Sequence, residues 1–520
     1  MTAGRVPVRA SAAEAVAGIA DGATVAVTGS GGGVLEPDVL LAAIEQRFLD
    51  TGRPRGLTFL HAFGLGDRDR RGTNRFAHAG LTRRVIGGHW TWSPRMMELA
   101  GRDEIEAYVW PAGAISLLLR EIGARRPGLI TRTGLHTFVD PRRGGGRANA
   151  TAREELVGLL ELDGREYLHY RPMAVDVALI RGTEADPLGN IGCTEEPAVL
   201  DVLALAQAAR AGGGTVLAQV KRLTGGPLPP HQVTVPGSLV DTVVVAPDQW
   251  QTYAAEYDPS LCAPVAQRAS APVAQRPRAP WPTDPVRAAI ARRAALEVPS
   301  GSVLNVGFGL AAEVVDALAE QGRLGEVTLA IEQGLFNGVP ETGTLFGVAH
   351  GPTARLASTN QFELFATGLL DTCCLGMAQL DASGSVNVSR FGAQIVGPGG
   401  FVDISQYARK AVFCGTFTTK GLHAEVHDGG LRIVREGTVR KLLAQVEEVT
   451  YAGPFARAEG REAVYVTERA VFRLTAGGVQ LTEVADGVDI ERDILPQMGF
   501  VPVIRDVRPM PAEVFRVGTG

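Results

Sequence analysis

Short β-branched apolar runs that end in glycine and give way to helical patterns recur along this 520-residue chain, and that alternation constrains its fold more than any other feature. Thr24, Val25, Ala26 and Val27 lead into Gly29 and the glycines at 31–33, and the spacing predicts an amphipathic helix over 37–48. Residues 176–180 form a second apolar run. A helix is predicted over 198–211, followed by three glycines and strands over 215–220 and 239–245. From 284 the order restarts, with a helix over 284–297 (Pro285 in its first turn), a strand over 302–306, Gly307 and Gly309, and a helix over 311–321. Strands alternating with helices predict an α/β fold with mainly parallel sheets.

The restart follows a segment of different character. Residues 261–285 hold six prolines and repeat one hexapeptide, Ala-Pro-Val-Ala-Gln-Arg, at 263–268 and 271–276. Such composition favours an extended, semi-rigid connector. The expected domains are therefore 1–260 and 284–520, joined by a Pro/Ala-rich linker over 261–283. Two echoes relate the halves. One is the shared order of helix, strand, glycine turn and helix. The other is Asp186-Pro-Leu-Gly189 against Asp381-Ala-Ser-Gly384, each read as a turn closed by glycine. Residues 464–474 alternate like one half-exposed strand and predict a small β-rich C-terminal part.

Composition narrows the functional classes. The formal net charge is −5 and the pI about 6.1, which supplies no general field for nucleic acid or an anionic membrane. No apolar stretch reaches spanning length, and the N-terminus lacks the apolar core of a secretory signal, so a cytoplasmic protein is expected. Five cysteines without ligand spacing predict reduced thiols, with Cys373 and Cys374 in the core. Nine histidines form no zinc-binding pattern, and no metal is expected.

Three glycine clusters mark places where backbone amides could meet an anion: 29–33, 307–309 and 397–400. None carries a full dinucleotide or P-loop fingerprint, and close packing of a strand–helix turn explains the first two equally well. Adjacent Gly399 and Gly400 suit either an oxyanion or a tight turn. The basic loop over 140–147 could meet phosphates, though a solvated loop is the commoner reading of such a sequence. The run 327–331 ends at Glu332 with Gly334 close behind, and ligands of open α/β sheets bind beyond the carboxyl ends of strands.

These residues resemble the class I CoA-transferases, of the acetate/propionate type with both halves fused. The resemblance runs through Gly87-Gly-His-Trp90, Gly134-Leu-His-Thr-Phe138, Asp186-Pro-Leu-Gly-Asn190, Val235-Pro-Gly237, Glu332-Gln-Gly334, Gly338-Val-Pro340, Gly397-Pro-Gly-Gly-Phe-Val-Asp403 and Tyr465-Val-Thr-Glu-Arg469. It implies two related α/β subdomains and a catalytic glutamate at Glu332. It also implies an oxyanion site at Gly399 and Gly400, and an acyl- and CoA-facing turn at Asn305, Gly307 and Gly309. Gly29, Gly31, Ala112, Gly113 and Gly338 complete the implied binding set.

The implied activity moves coenzyme A from an acyl-CoA to a carboxylic acid by ping-pong kinetics through an acyl-glutamyl anhydride and a glutamyl-CoA thioester. No permanent cofactor is implied; coenzyme A is substrate and covalent intermediate. A homodimer or homotetramer is the expected assembly. Where relatives carry Pro-Gln-Gly, this chain has Pro111-Ala112-Gly113. The lost amide, with Leu335, Phe336 and the stretch 362–371, predicts an acyl group larger or more apolar than acetyl. The competing readings are an acyl-CoA hydrolase using the same glutamate, a non-catalytic CoA- or nucleotide-binding protein, and a dehydrogenase. The missing fingerprint counts against the last.

Overall fold

A computed structural model describes residues 7–263, 281–282, 284–427 and 429–516. Most of the Pro/Ala-rich stretch, including both hexapeptides apart from Ala263, lies outside the described residues. The chain divides into two compact units. The first gathers the described parts of Met1–Val265 with Glu332–Glu363 and Phe391–Asp403; the second gathers those of Ala266–Ile331, Leu364–Arg390 and Ile404–Gly520. Two segments from beyond the Pro-rich stretch thus cluster with the first unit, and one of them carries Glu332.

The first unit is built on strands β1 (Val8–Arg9), β2 (Thr24–Val27), β3 (Leu57–His61), β4 (Thr82–Gly87), β5 (Glu106–Val109), β6 (Val177–Ala185), β7 (Thr215–Leu223) and β8 (Thr242–Val245). They lie side by side in the order β1-β8-β7-β6-β2-β3-β4-β5, every neighbouring pair parallel. All nine residues of β6 are buried, as expected for a central strand of a parallel sheet. Helices α1 (Asp38–Thr51), α2 (Ala112–Gly123) and α3 (Val202–Ala211) flank it. The predicted start of α3 at 198 is four residues early. Leu200 is left-handed at φ 52°, and the Asp201 carboxylate accepts from Thr28 and Ser116. Residues 198–201 therefore form an entry loop.

In the second unit α4 (Pro285–Ala295) and α5 (Val314–Glu320) pack on strands β9 (Val303–Val306), β10 (Thr328–Ile331), β11 (Thr372–Gly376), β12 (Lys410–Cys414), β13 (Glu462–Val466), β14 (Ala470–Thr475), β15 (Gly478–Val484) and β16 (Val503–Pro509). Their order is β10-β9-β11-β12-β13-β14-β15-β16. The first five are parallel; β14 is antiparallel to both its neighbours, and β16 is parallel to β15. Asp284 caps α4 by accepting from the Val286 and Arg287 amides, with Pro285 at the first helical position. Cys374 and Cys414 join Ile290, Leu304, Val315, Leu318, Val412 and Val464 in the core.

Two further sequence expectations need correction. The helix predicted over 311–321 opens as a tight 3-10 turn, Gly309–Glu313, before α5. The single strand predicted over 464–474 is a hairpin, β13 and β14, turned at 467–469. Thr467 closes the turn by accepting from and donating to Ala470. Within the turn Glu468 and Arg469 are both fully buried and pair at 2.7 Å.

The echo between the halves is physical. Asp186 accepts from the Leu188 and Asn190 amides, and Gly189 is left-handed at φ 80°. Asp381 accepts from the Ser383 and Ser385 amides, with Gly384 at φ 83°. Each turn joins two antiparallel strands. Among the described residues no helix is long and apolar enough to cross a membrane, and no group of three or more His, Cys, Asp or Glu is arranged to hold a metal ion.

Candidate active site

Glu332 follows directly on Ile331, the last residue of β10. The chain then turns sharply. Gly334 has φ 96°, and a Cβ there would lie 2.1 Å from the Leu356 carbonyl oxygen, so only glycine fits beside the Leu356 N–H to Gly334 O bond of 2.8 Å. Glu332 is half-buried. One carboxyl oxygen, Oε1, accepts from Gln333 Nε2 at 3.1 Å. The Gly400 amide also donates to the carboxylate. Burial pushes the Glu332 carboxyl up to about 7, against these two hydrogen bonds, which favour the ionised form.

Gly400 and Glu332 are in direct contact: a Cβ on Gly400 would lie 1.9 Å from Glu332 Oε2. The two predicted oxyanion glycines therefore differ. The Gly399 amide donates to the Gly88 carbonyl at 2.8 Å, and the Gly399 carbonyl accepts from Ala112 N–H at 2.8 Å. Gly399 is thus a structural hinge between the 87–90 loop and the start of α2, while Gly400 presents its amide to the glutamate. Further bonds fasten the same loops. Trp90 N–H donates to Val396 O at 2.8 Å, and His89 Nδ1 meets Gly397 O at 3.0 Å.

Ala112 and Gly113 open α2. Ala112 has no exposed surface. The Gly113 amide donates to Asp403 Oδ2 at 3.1 Å, and a Cβ on Gly113 would press on Asp403 at 2.4 Å and on Phe362 at 2.7 Å. Asp403 thus sits at the N-terminus of a 12-residue helix, where a carboxylate is favoured by the free amides. Burial nonetheless raises its carboxyl to about 8. The Glu332 charge adds to the rise, and the Gly113 and Ala114 amides oppose it. Phe362 is buried, stacks on Phe63 with ring centroids 6.1 Å apart, and lies within 3.2 Å of the Gly400 Cβ position. It forms an aromatic wall beside the glutamate.

Other predicted residues lie in other settings. The amides of Ser30 and Gly32 are spent on Val34 O and Gly66 O. Gly31 abuts the Trp92 ring, which a Cβ at 31 would meet at 2.1 Å, and Gly29 abuts Glu36 and Leu65. Close packing accounts for this loop. Its organiser is Glu36, fully buried, which accepts from Gly66 N–H and Tyr253 Oη, each at 2.8 Å. Gly338 sits at φ 81° against His350 O, entering the antiparallel pair Val339–Pro340 and Ala349–His350.

Asn305, Gly307 and Gly309 belong to the second unit. Asn305 Nδ2 donates to Ala330 O at 2.7 Å, tying β9 to β10 two residues before Glu332. The Asn305 Oδ1 is buried without a partner. Gly307 N–H donates to Cys374 O, whereas space around Gly309 is open. In the basic loop, Arg142 pairs with Asp140 and Glu166 and is not a free cation. Gln333 and Asp403 fall within the sequence motifs, but sequence reasoning gives them no task. The signal available was their spacing, one residue from Glu332 and three from Gly400.

Comparison with known proteins decides the family. Residues 9–246 match the model of the Coenzyme A transferase family. The Escherichia coli K12 protein named acetate CoA-transferase YdiF is 41% identical over 504 residues, 96% of this chain and 93% of that protein. The caffeate CoA-transferase of Acetobacterium woodii is 40% identical over 515 residues, 97% of each chain. This chain belongs to the CoA-transferase family. The solved acyl-CoA transferase YdiF of E. coli O157:H7, a thioester complex with CoA, superposes with a TM-score of 0.91 at 39% identity, covering 99% of this chain and 96% of that one. The protein is accordingly a CoA-transferase of the class I type with fused halves, in which two α/β subdomains carry mainly parallel sheets.

Proposed function

We propose that Glu332 is the covalent carrier of coenzyme A in this CoA-transferase. The observation that carries this reading is a half-buried carboxylate at the end of a strand, held by Gly400 N–H and Gln333 Nε2. Exchange between two carboxylic acids needs a carrier that is itself a carboxylate. Glu332 attacks the thioester carbonyl of the acyl-CoA and expels CoA thiolate, forming an acyl-glutamyl anhydride. The thiolate attacks the glutamyl carbonyl and releases the first acid. The acceptor carboxylate attacks the resulting glutamyl-CoA thioester, and the returning thiolate attacks the acyl carbonyl to free product and Glu332. Water must be held off throughout, because both intermediates hydrolyse. Gly400 supplies an amide at the carboxylate, while Gly399 holds that amide in place. Ala112 and Gly113, at the start of α2, shape the surroundings of Gly399 and Gly400.

Relatives of nearly equal identity are named for acetate and for caffeate, so kinship leaves the acyl group open. Ala112 in place of glutamine and the aromatic wall at Phe362 support a donor larger or more apolar than acetyl. In chain order we read two halves, 1–260 and 284–520, around a linker at 261–283. We assign a cytoplasmic homodimer or homotetramer. The deciding experiment is incubation with a panel of acyl-CoAs followed by peptide mass mapping. The CoA-derived adduct is expected on the peptide bearing Glu332, and Glu332→Gln is expected to abolish exchange with the fold intact. Normal exchange by that variant would overturn the assignment.

A further inference from the structure

In a transfer through Glu332, half of the bond-making occurs at the carbon of its own carboxyl group. Thiolate attacks Cδ of the anhydride, and later the acceptor carboxylate attacks Cδ of the thioester. Each attack moves an electron pair onto the remaining glutamyl oxygen, and the tetrahedral intermediate collapses by expelling the first acid or the thiolate. A donor fixed on that oxygen lowers these barriers.

Gln333 is placed to be that donor. Its Nε2 lies 3.1 Å from Glu332 Oε1. The side chain is 2% exposed, and its own Oε1 is buried without a hydrogen-bond partner. Only the donor end of the amide is used, and it is used on Glu332. A reversed amide would set oxygen against oxygen. The amide is also wedged: a Cβ on Gly347 would lie 2.7 Å from both Cδ and Nε2, so glycine at 347 leaves just the room the amide plane requires. A residue serving packing alone would be better apolar here, since an unpaired buried acceptor is destabilising.

We propose that Gln333 is a catalytic residue that fixes Glu332 Oε1 as the carbonyl oxygen of the anhydride and thioester and donates to it as charge develops, leaving Oε2, above the bare Cα of Gly400, to make the first attack. The inference rests on Glu332 as carrier and assigns a task to its neighbour.

The test uses Gln333→Met, which keeps length and removes the donor together with the unpaired acceptor. Turnover with the acyl-CoA and acceptor that the wild type uses best is expected to fall about 10²–10³-fold, with KM for acyl-CoA within about threefold and thermal stability unchanged or raised. Loss of a hydrogen bond that favours the carboxylate should also move the acidic limb of kcat/KM to higher pH. Gln333→Glu provides a second reading should the first variant fail to fold. It can donate only while protonated, so its activity should decline over the range where the wild type rises. Adduct formation is followed in parallel. If the wild type forms no adduct at Glu332, the carrier reading falls. If it does, and Gln333→Met forms adduct at the wild-type rate with an unmoved acidic limb, this inference alone is overturned.

Discussion

Replacing Gly400 with alanine adds one methyl group at the spot where the Glu332 carboxylate rests. The backbone at 400 lies outside the left-handed region, so alanine adopts it without strain and the effect is confined to the methyl. That methyl would lie 1.9 Å from Oε2, 3.1 Å from Cδ and 3.2 Å from Phe362 Cε1. Contacts of this kind are not found below 3.0 Å, so the carboxylate must retreat by about 1 Å, while the Phe362 ring gives by a few tenths. A misplacement of about 1 Å costs on the order of 10²-fold in rate, about 2.7 kcal/mol in the barrier. The assay is steady-state exchange between an acyl-CoA and an acceptor acid, with the rate of CoA-adduct formation measured separately. Gly226→Ala, with nothing within 4 Å of the new methyl, serves as the control. Gly400→Ala should keep its thermal transition within a few degrees and lose about 10²-fold in kcat/KM. A value within threefold of wild type would refute the claim that the Gly400 surface sets the position of the nucleophile.

Because the ionised carboxylate attacks, kcat/KM should rise with pH with an apparent midpoint near 7, the position to which burial moves Glu332; a midpoint near 4.5 would contradict this. The same shifts act on stability with the opposite sense. Glu332 and Asp403, raised to about 7 and about 8, bind more protons folded than unfolded, so their contribution falls as pH rises through the interval from about 4 to about 8 and is flat above it. Denaturant midpoints of wild type and Asp403→Asn measure it, the variant showing the weaker fall. Comparing kcat/KM for acetyl-CoA with medium or branched acyl-CoAs should show a preference for the larger groups, and a clear preference for acetyl would sink the reading of Ala112. Arg181→Met removes the buried partner of Glu196, paired at 3.0 Å, and four backbone carbonyl contacts; a loss of about 3–5 kcal/mol is expected, read as a lowered urea midpoint.

The parallel sheets were legible because buried β-branched runs and glycine turns recur at strand–helix spacing, and β6 and the β9–β10 pair sit where those runs predicted them. Glu332 was legible as a strand-end acid. Its surroundings were not, because they come from distant parts of the chain: the bonds of Gly88 and Ala112 to Gly399, and of Gly113 to Asp403, span hundreds of residues. Local alternation also suggested one strand over 464–474 where there is a hairpin, because it cannot show that Glu468 and Arg469 bury each other as a pair in the turn. The 29–33 glycines suited an anion cradle and close packing equally, because sequence cannot show that Trp92, Tyr253 and Glu36 lie against them.

The environment of Glu332 balances two opposed demands. As the attacking group it gains from basicity, because a more basic carboxylate forms the bond to the acyl carbon more readily, and burial beside Phe362 supplies that basicity by withholding water. As the group finally expelled when thiolate reclaims the acyl carbon, it gains from weak basicity. Gly400 N–H and Gln333 Nε2 act in that second sense, each favouring the ionised form against burial. A carboxyl brought to about 7 is ionised in about half the molecules at neutral pH, so the nucleophile is reduced about twofold while each ionised copy is more reactive than a solvated glutamate. Removing either donor should move the acidic limb to higher pH and greater solvent exposure should move it to lower pH, so variants of Gln333 and Phe362 are expected to shift the limb in opposite directions while both lose turnover.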